Sequence, residues 1–283
     1  MKYPLIFIIA YFLLRLILNR VIQMVVFQPR HITIHNLPNF FQLQNRLRYQ
    51  ITDGVTVDHH RFSTRDGESI NGILFKNPYH TRTIIFSHGN ASSIYRMIPL
   101  FSMLGKHANI LLYEYRGYGL SSGTPTEAGV YRDAYDAWGF VTKEHRLDPK
   151  QITLMGESLG SAVTTWLGSR LASEGNPPHS MILVSGFSSL RQLISDGYGM
   201  FLAHFHDNAF DSRYHMGLIK DRVKTLVIHS QEDEMIPYHH HQQLLNSHPE
   251  TEHYPIKGCH SPPEYDAGAI DSINRFLYVE KNE

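Results

Sequence analysis

The sequence predicts an α/β protein whose central sheet is mostly parallel and is covered by helices on both faces. From about residue 83 of the 283-residue chain, short apolar runs that suit buried strands alternate with longer runs at helical spacing. Two strand-like runs joined through Asp66-Gly67 come first, and Asp-Gly between such runs is a hairpin signal. Alternation after an initial hairpin is typical of a parallel sheet with helices on both sides.

The predicted elements follow one another in a regular order. Strands are predicted over residues 57–64, 69–76, 83–87, 109–113, 151–155, 181–185, 225–229 and 251–254. Helices are predicted over residues 94–107, 127–145, 161–171, 239–246 and 263–277. Segment 186–221 interrupts the alternation, is rich in Phe, Tyr and His, and is predicted to be a short cap inserted over the carboxyl ends of the strands. Ligands of such sheets bind at that edge.

Composition is that of an ordinary globular protein. Apolar residues make up 42% and charged residues 18% of the chain, which is long enough for one large domain. The formal net charge is zero, so nothing favours nucleic acid as a partner. Cys259 is the only cysteine, which excludes an internal disulfide.

The N-terminal segment departs from this average. Residues 3–14 are nearly all apolar, and the apolar character continues with interruptions to Phe27. A helix over residues 4–27 would be about 36 Å long, enough for a hydrocarbon core of about 30 Å. Residues 1–28 are therefore predicted to form a membrane-anchor helix, residues 29–56 a linker, and residues 57–283 the main domain.

Two topologies remain open for that helix. Arg15, Asn19 and Gln23 are spaced by four and share one helical face. A spanning signal anchor must place Arg15 near the headgroups, because a central arginine costs roughly 2.5–3.5 kcal/mol on insertion scales. An interfacial helix would expose this polar face to water and bury its apolar side chains in the membrane interface. A cleaved signal peptide and a buried core helix are disfavoured, since no Ala-x-Ala-like site follows and soluble cores seldom include so long a terminal run.

Basic residues flank the apolar run unequally. Lys2 precedes it, whereas Arg15, Arg20 and Arg30 follow its first part. This distribution favours a cytoplasmic position for the main domain.

The pentapeptide Gly156-Glu-Ser-Leu-Gly160 places Ser158 between two glycines. An apolar strand-like run precedes it and a helix-compatible run follows it, so the serine falls on a sharp strand-to-helix turn. A serine hydroxyl becomes a nucleophile when the backbone displays it and a base takes its proton. Ser158 is the predicted nucleophile.

A base and an acid are expected later in the chain, in the order Ser, Asp, His. Asp233 follows the strand at 225–229, and its spacing before Ile236-Pro237 favours it over Glu232 and Glu234. His260 lies in the glycine-containing loop after the last strand, which distinguishes it from the other histidines.

Other candidate ligands or nucleophiles are weaker. The run His239–His241 is expected to line a solvated helix start rather than a metal site. His204 and His206 lack the carboxylate spacing of a metal site. Cys259 does not lie on a strand-to-helix turn of the kind that presents a nucleophile. No metal and no organic cofactor are predicted.

Acyl transfer also needs donors aimed at the developing oxyanion. Phe86-Ser-His-Gly-Asn-Ala91 follows a predicted strand directly, and its glycine lets the next N–H face the site. Asn90 is the first predicted donor and Leu159, just after the nucleophile, the second.

Residues 57–277 resemble the α/β-hydrolase superfamily, and more narrowly its membrane-tethered serine esterases, among them lysophospholipases, monoacylglycerol lipases and protein depalmitoylases. The resemblance depends on Ser-His-Gly-Asn-Ala (87–91), Tyr-Arg-Gly-Tyr-Gly-x-Ser-Ser-Gly (115–123), Gly-Glu-Ser-Leu-Gly (156–160), Asp233 with Ile236-Pro237, and Gly258-Cys-His260. It implies an α/β-hydrolase fold, with Ser158, Asp233 and His260 as nucleophile, acid and base, and Asn90 and Leu159 as oxyanion donors.

The chain departs from this pattern at two positions. Glu114 stands where relatives often have Asp, and Ser230 replaces a common glycine in the acid loop. Neither change removes a catalytic group, although the second leaves the geometry of the acid loop open.

The expected activity is serine-dependent hydrolysis of carboxylic esters, with lipid-derived or acylated small molecules as substrates and membrane lipid as partner of the N-terminal helix. The same residues could serve a serine peptidase or a thioesterase. A non-catalytic, membrane-bound binding protein that keeps the fold is the alternative from another class.

Overall fold

The computed structural model describes residues 3–30, 54–104, 106–204, 209–260, 263 and 265–278. Its sheet has eight strands in the order β1-β2-β4-β3-β5-β6-β7-β8. The strands are β1 Thr56–Ser63, β2 Ser69–Lys76, β3 Thr83–Ser87, β4 Asn109–Tyr113, β5 Ile152–Glu157, β6 Ser180–Val184, β7 Lys224–Ser230 and β8 Glu252–Ile256. β1 pairs with β2 and β2 with β4 in antiparallel fashion, and all other pairs are parallel. The predicted fold class and the initial hairpin are confirmed.

The α-helices in the described residues are α1 Tyr3–Val26, α2 Ile94–Leu104, α3 Glu127–Gly139, α4 Leu159–Ser173, α5 Leu190–Tyr198, α6 Met200–His204, α7 Ser212–Ile219, α8 His239–Ser247 and α9 Ala267–Tyr278. The single helix predicted over 127–145 is wrong in its last part. The α-helix ends at Gly139, and Phe140–Glu144 continues as a π-helical turn. Glycine is a weak helix former, so the wider turn begins where the helix is least stable.

Side chains that alternate along the strands build a core on each face of the sheet. Leu111, Leu154 and Leu183 belong to one buried cluster, while their chain neighbours Leu112 and Met155 belong to the other. This follows from the two-residue period of a strand, which sends successive side chains to opposite faces. Both faces are apolar because helices cover both.

The predicted cap segment, residues 186–221, folds largely as α5, α6 and α7, with residues 205–208 outside the described part. α7 packs mainly against α4 and α8. Most of the predicted linker, residues 31–53, also lies outside the described residues.

α1 turns one side toward the domain. The half-buried side chains from residue 11 onward recur at helical spacing: Tyr11, Arg15, Leu18, Asn19, Ile22 and Val26. The ring of Tyr11 lies 6.3 Å from that of His204 in α6, and Phe27 packs on Phe210 at 6.0 Å. Large apolar side chains on the rest of the helix are exposed: Ile8, Ile9, Phe12, Leu13, Leu14, Leu16, Ile17, Val21, Met24 and Val25.

This orientation corrects one part of the predicted interfacial helix. Arg15 and Asn19 are half-buried on the side of the domain rather than on a fully wet stripe, while Gln23 is exposed. The segment Ile8–Val26 is long and apolar enough to cross a membrane by length and composition. Apart from Arg20 and Gln23, its exposed surface is mostly apolar, which is the reverse of the pattern on a surface helix of a soluble protein.

Candidate active site

Ser158 lies on the turn between β5 and α4, as predicted. Its backbone angles are φ 54° and ψ −118°, a conformation that non-glycine residues adopt rarely. The Ser158 N–H donates to the carbonyl of Val184 on β6 at 2.9 Å, which holds the turn in place. The serine is therefore presented at the carboxyl edge of the sheet.

The flanking glycines allow this close packing. A side chain at Gly160 would collide with the backbone of Ser87 and His88, at the end of β3. A side chain at Gly156 would collide with the backbone of Gly160 itself. The absence of Cβ atoms thus brings the loop after β3 against the start of α4.

Hydrogen bonds connect the three predicted catalytic side chains. His260 Nε2 lies 2.9 Å from Ser158 Oγ, and His260 Nδ1 lies 2.8 Å from Asp233 Oδ2. An ionised carboxylate only accepts, so Nδ1 carries the proton and Nε2 is left as the acceptor facing the serine hydroxyl. Residues separated by 102 and 27 positions in sequence meet in the predicted order.

The acid loop holds Asp233 in its ionised form. Asp233 Oδ1 accepts from the N–H of Ile236 at 2.8 Å and of Met235 at 3.0 Å. Burial by itself would raise the pKa of Asp233, but the hydrogen bonds from His260 and Ile236 outweigh it and the pKa is lowered. The carboxylate can therefore orient the imidazole and stabilise its charged form.

The two predicted oxyanion donors come from different segments, Asn90 from the loop after β3 and Leu159 from the start of α4. A Cβ added at Gly89 would lie 3.4 Å from Ser158 Cβ, so the backbone just before Asn90 passes close to the serine. Leu159 is the first residue of α4, where backbone N–H groups have no partner within the helix. The Asn90 side chain points elsewhere, because its Oδ1 accepts from the Gln28 N–H and the Tyr118 hydroxyl, each at 2.9 Å.

A sequence model described as alpha/beta hydrolase fold matches residues 82–193, which include the loop after β3 and the serine turn. The chain has the α/β-hydrolase fold.

Curated relatives of this α/β-hydrolase include proteins from animals and a virus. An uncharacterized protein of Acanthamoeba polyphaga mimivirus is 27% identical over 247 residues, covering 80% of this chain and 84% of that protein. Alpha/beta hydrolase domain-containing protein 17C of Xenopus tropicalis is 29% identical over 229 residues, covering 79% of this chain and 71% of that protein. The Homo sapiens protein of that name is 31% identical over 207 residues, covering 72% and 60%.

Solved structures resemble the whole fold. An esterase of Pyrococcus furiosus superposes with a TM-score of 0.66 at 17% identity, covering 89% of this chain and 97% of that one. An alpha-beta hydrolase of Vibrio vulnificus superposes with a TM-score of 0.63 at 17% identity, covering 82% and 91%. The fold is thus that of known hydrolases, and the family supports a hydrolase acting on a small molecule.

Glu232 and Glu234, the two alternatives to Asp233 in the sequence, form hydrogen bonds of a different kind. Glu232 Oε2 accepts from the Gly258 N–H at 3.1 Å, and Glu234 Oε2 accepts from the His260 N–H at 3.0 Å. All three consecutive acids therefore bind the loop that carries the histidine. Sequence spacing could not reveal this, because the two loops are about 26 residues apart.

The two departures from the family pattern also have local partners. Ser230 Oγ donates to the Gly258 carbonyl at 2.6 Å and accepts from the Glu232 N–H at 3.0 Å, which adds another link between the two loops. Glu114 Oε2 lies 3.2 Å from His88 Nε2, and Glu114 Oε1 accepts from the Ile94 N–H at 3.1 Å. Both side chains of the Glu114–His88 pair are fully buried.

The run His239–His241 begins α8, but the prediction that this helix start is solvated is wrong for two of its members. His240 and His241 are buried, and burial lowers the pKa of each to about 4. The first turn of α8 faces the protein: the Ser188 N–H donates to His240 Nδ1 at 3.1 Å. His241 stacks on Tyr238 with ring centroids 4.8 Å apart.

His239 and His240 converge on a carboxylate that the sequence did not single out. Asp196 Oδ2 lies 2.8 Å from His239 Nε2 and 2.9 Å from His240 Nε2, an arrangement with enough ligand atoms for a metal. However, His240 Nδ1 accepts a backbone N–H, so the neutral ring keeps its proton on Nε2, where a metal would have to bind. The cluster therefore fits a hydrogen-bonded link between α5 and α8 better than a metal site.

Proposed function

We propose that this chain is a membrane-associated serine hydrolase that cleaves carboxylic esters through an acyl-enzyme on Ser158. The observation that carries the proposal is the chain of hydrogen bonds from Asp233 through His260 to Ser158, with heavy-atom distances of 2.8 and 2.9 Å. Distances of this kind place a base within reach of the nucleophile and an acid within reach of the base.

The mechanism follows from the protonation pattern. His260 Nε2 takes the Ser158 proton as the hydroxyl oxygen attacks the ester carbonyl, and Asp233 stabilises the resulting imidazolium. The N–H groups of Asn90 and Leu159 bind the oxyanion of the tetrahedral intermediate. The imidazolium then protonates the leaving alcohol. Water, deprotonated by His260, attacks the acyl-enzyme and releases the carboxylic acid.

Membrane association is supported by the outer face of α1. Its exposed side chains are apolar along most of its length, and an apolar helical face is stable where lipid rather than water covers it. Attachment would keep the enzyme beside lipid-derived or acylated esters, which is the substrate class we propose.

The test of the chemistry is labelling with a fluorophosphonate, which reacts with activated serines. Wild-type protein is expected to label, and Ser158→Ala to lose labelling and p-nitrophenyl ester hydrolysis. Ser173→Ala, at the exposed end of the same helix, is the matched control and should label normally. Undiminished labelling of Ser158→Ala, or none in folded wild type, would contradict the proposal.

The substrate class is tested with p-nitrophenyl esters of increasing chain length, lysophospholipids, acyl thioesters and peptides. We expect the highest kcat/KM on an ester. A higher value on a thioester or a peptide would reassign the activity within the same chemistry.

Membrane association is tested with a deletion of residues 2–20 rather than of the whole segment. Ile22, Val26 and Phe27 pack on the core and the Gln28 N–H binds Asn90, so a longer deletion would disturb the site itself. The shortened protein is expected to move from the membrane pellet to the soluble fraction with its fluorophosphonate labelling intact. Retention in the pellet would contradict the anchor.

A further inference from the structure

A cavity of about 510 Å³ lies within the predicted cap, away from the catalytic residues. Gln192 and Ser195 of α5 line one side, Ala203 and His204 of α6 another, and Arg213 of α7 a third. Its volume is within the range of small-molecule sites, roughly 300–1,000 Å³. The proposed ester hydrolysis does not use it.

The described lining of this cavity carries positive charge. Arg191 and Arg213 both line it, and none of the described lining residues is a carboxylate. In the described part of the chain neither arginine forms an ion pair, whereas Arg65, Arg116 and Arg170 each do. Guanidinium groups bind phosphate in a bidentate fashion and are weakly hydrated, so such a pair is suited to an anion.

Hydroxyl groups complement the two cations. Ser189 is buried at the start of α5, where its Oγ accepts from the Gln192 N–H and keeps its proton for another acceptor. Ser195, farther along the same helix, also lines the cavity. Phosphate oxygens accept several hydrogen bonds at once, which matches donors on more than one side.

The surroundings of the cavity are apolar on the side of α1. His204, which lines the cavity, contacts the ring of Tyr11 on α1. Met200, also in the lining, is 81% exposed, and its neighbour Phe201 is 73% exposed. A polar, cationic cavity thus opens beside an apolar surface shared by α1 and α6, and an amphiphile with an anionic head has this same division.

We propose that this cavity binds the phosphate group of a phospholipid headgroup through Arg191 and Arg213, while the acyl chains lie along α1 and α6. The proposal rests on the membrane association proposed above, but not on the activity of Ser158. It makes the cap a second, lipid-selective contact with the membrane.

The probe is dihexanoyl phosphatidic acid below its micellar concentration, titrated calorimetrically into the full chain in nonionic detergent at fixed ionic strength. Saturable binding is expected for wild type and for Ser158→Ala. Arg191→Gln/Arg213→Gln should weaken it at least tenfold. The control Arg82→Gln/Arg222→Gln removes equal charge at the opposite edge of the sheet and should leave it unchanged.

Two further ligands distinguish the sources of the phosphate. Dihexanoylglycerol, which lacks the phosphate, should not bind saturably, and inorganic phosphate should bind at least tenfold more weakly than the lipid. Equal affinity for inorganic phosphate would replace the lipid by a free anion and overturn the proposal. Absence of saturable binding, or equal weakening in the control pair, would overturn it as well.

Folding and activity are followed in the same preparations. Circular dichroism melting checks the double variant, and Arg191→Gln alone provides a milder change. Fluorophosphonate labelling should be equal in wild type and in the arginine variants. Loss of labelling in wild type would contradict the hydrolase function and leave the binding result standing.

Discussion

Polar and apolar side chains are arranged in opposite ways in two regions of the molecule. One region is the loops of the candidate active site, and the other is the unit formed by α1 and the cap. In the site, Asp233 and His260 are only 7% and 5% exposed, and their polar atoms are paired. In the other unit, apolar side chains such as Phe201 face outward while the polar Asn19 is turned toward the domain. Buried pairs fix geometry for chemistry, whereas an outward apolar face indicates that something other than water covers it.

Replacement of the triad acid should produce the largest difference between the two regions. Asp233→Asn keeps the shape but donates where it should accept, which favours the wrong tautomer of His260. We expect kcat to fall by about 10⁴, as for comparable triads, with little change in Tm or in membrane binding. Pre-steady-state ester hydrolysis measures this, with Asp271→Asn on the exposed face of α9 as control. A loss below tenfold would exclude Asp233 as the acid.

The next largest effect is expected from acidification. It should lower the free energy of unfolding through the buried histidines of α8, the helix that lies against the cap. Burial lowers the pKa of His240 and His241 to about 4, while unfolded histidine binds a proton near pH 6.5. The unfolded chain therefore holds more protons between these values, so stability falls as the pH is lowered across this window. At pH 5.5 the loss is about 1.4 kcal/mol for each histidine.

Chemical denaturation at pH 7.5 and 5.5 measures this loss. His241→Phe keeps the stacking on Tyr238 and removes one titrating group, so the loss of stability between the two pH values should be smaller by about 1.4 kcal/mol. An unchanged loss in this variant would show that His241 does not titrate as its burial implies.

Charged residues introduced on the outer face of α1 should weaken membrane association without changing the activity of Ser158. Phe12 and Leu16 are exposed on that face, and Phe12→Glu/Leu16→Glu removes apolar area worth roughly 1.5–3 kcal/mol for each fully buried side chain. We expect the ratio of membrane-bound to soluble protein to fall at least tenfold, with fluorophosphonate labelling unchanged. The control Tyr79→Glu replaces an exposed aromatic side chain in the loop after β2 and should alter neither quantity. Unaltered sedimentation of the double variant would mean that lipid does not cover this face.

The smallest expected effect concerns Glu234, whose carboxylate binds the backbone of His260, the proposed base. Glu234→Ala removes the acceptor of the His260 N–H, so we expect kcat to fall by about tenfold, the size of one charged hydrogen bond worth roughly 1.5 kcal/mol. Glu234→Gln keeps an acceptor and should recover most of the rate, with KM unchanged in both. If Gln is no better than Ala, the negative charge matters rather than the hydrogen bond. The control is Glu250→Ala.

Local spacing was enough to predict the sheet, the hairpin, the serine turn and the order of Ser158, Asp233 and His260. Two-residue alternation, paired glycines and position after a strand are properties of neighbouring residues, and they determine which element forms and at which edge its end lies. The end of α3 also depends on neighbouring residues, but it was predicted wrongly. A one-residue change of helical register leaves little trace in the pattern of apolar residues.

Contacts between distant segments were decided only by the tertiary structure. Whether His240 is buried, whether Asp196 meets it, and whether Glu234 competes with Asp233 or supports His260 all depend on packing across tens of residues. The face that α1 turns to the domain depends likewise on the cap beside it. The sequence by itself thus determined the elements and the order of the candidate catalytic residues, and packing determined what surrounds them, because burial and pairing arise from the whole chain at once.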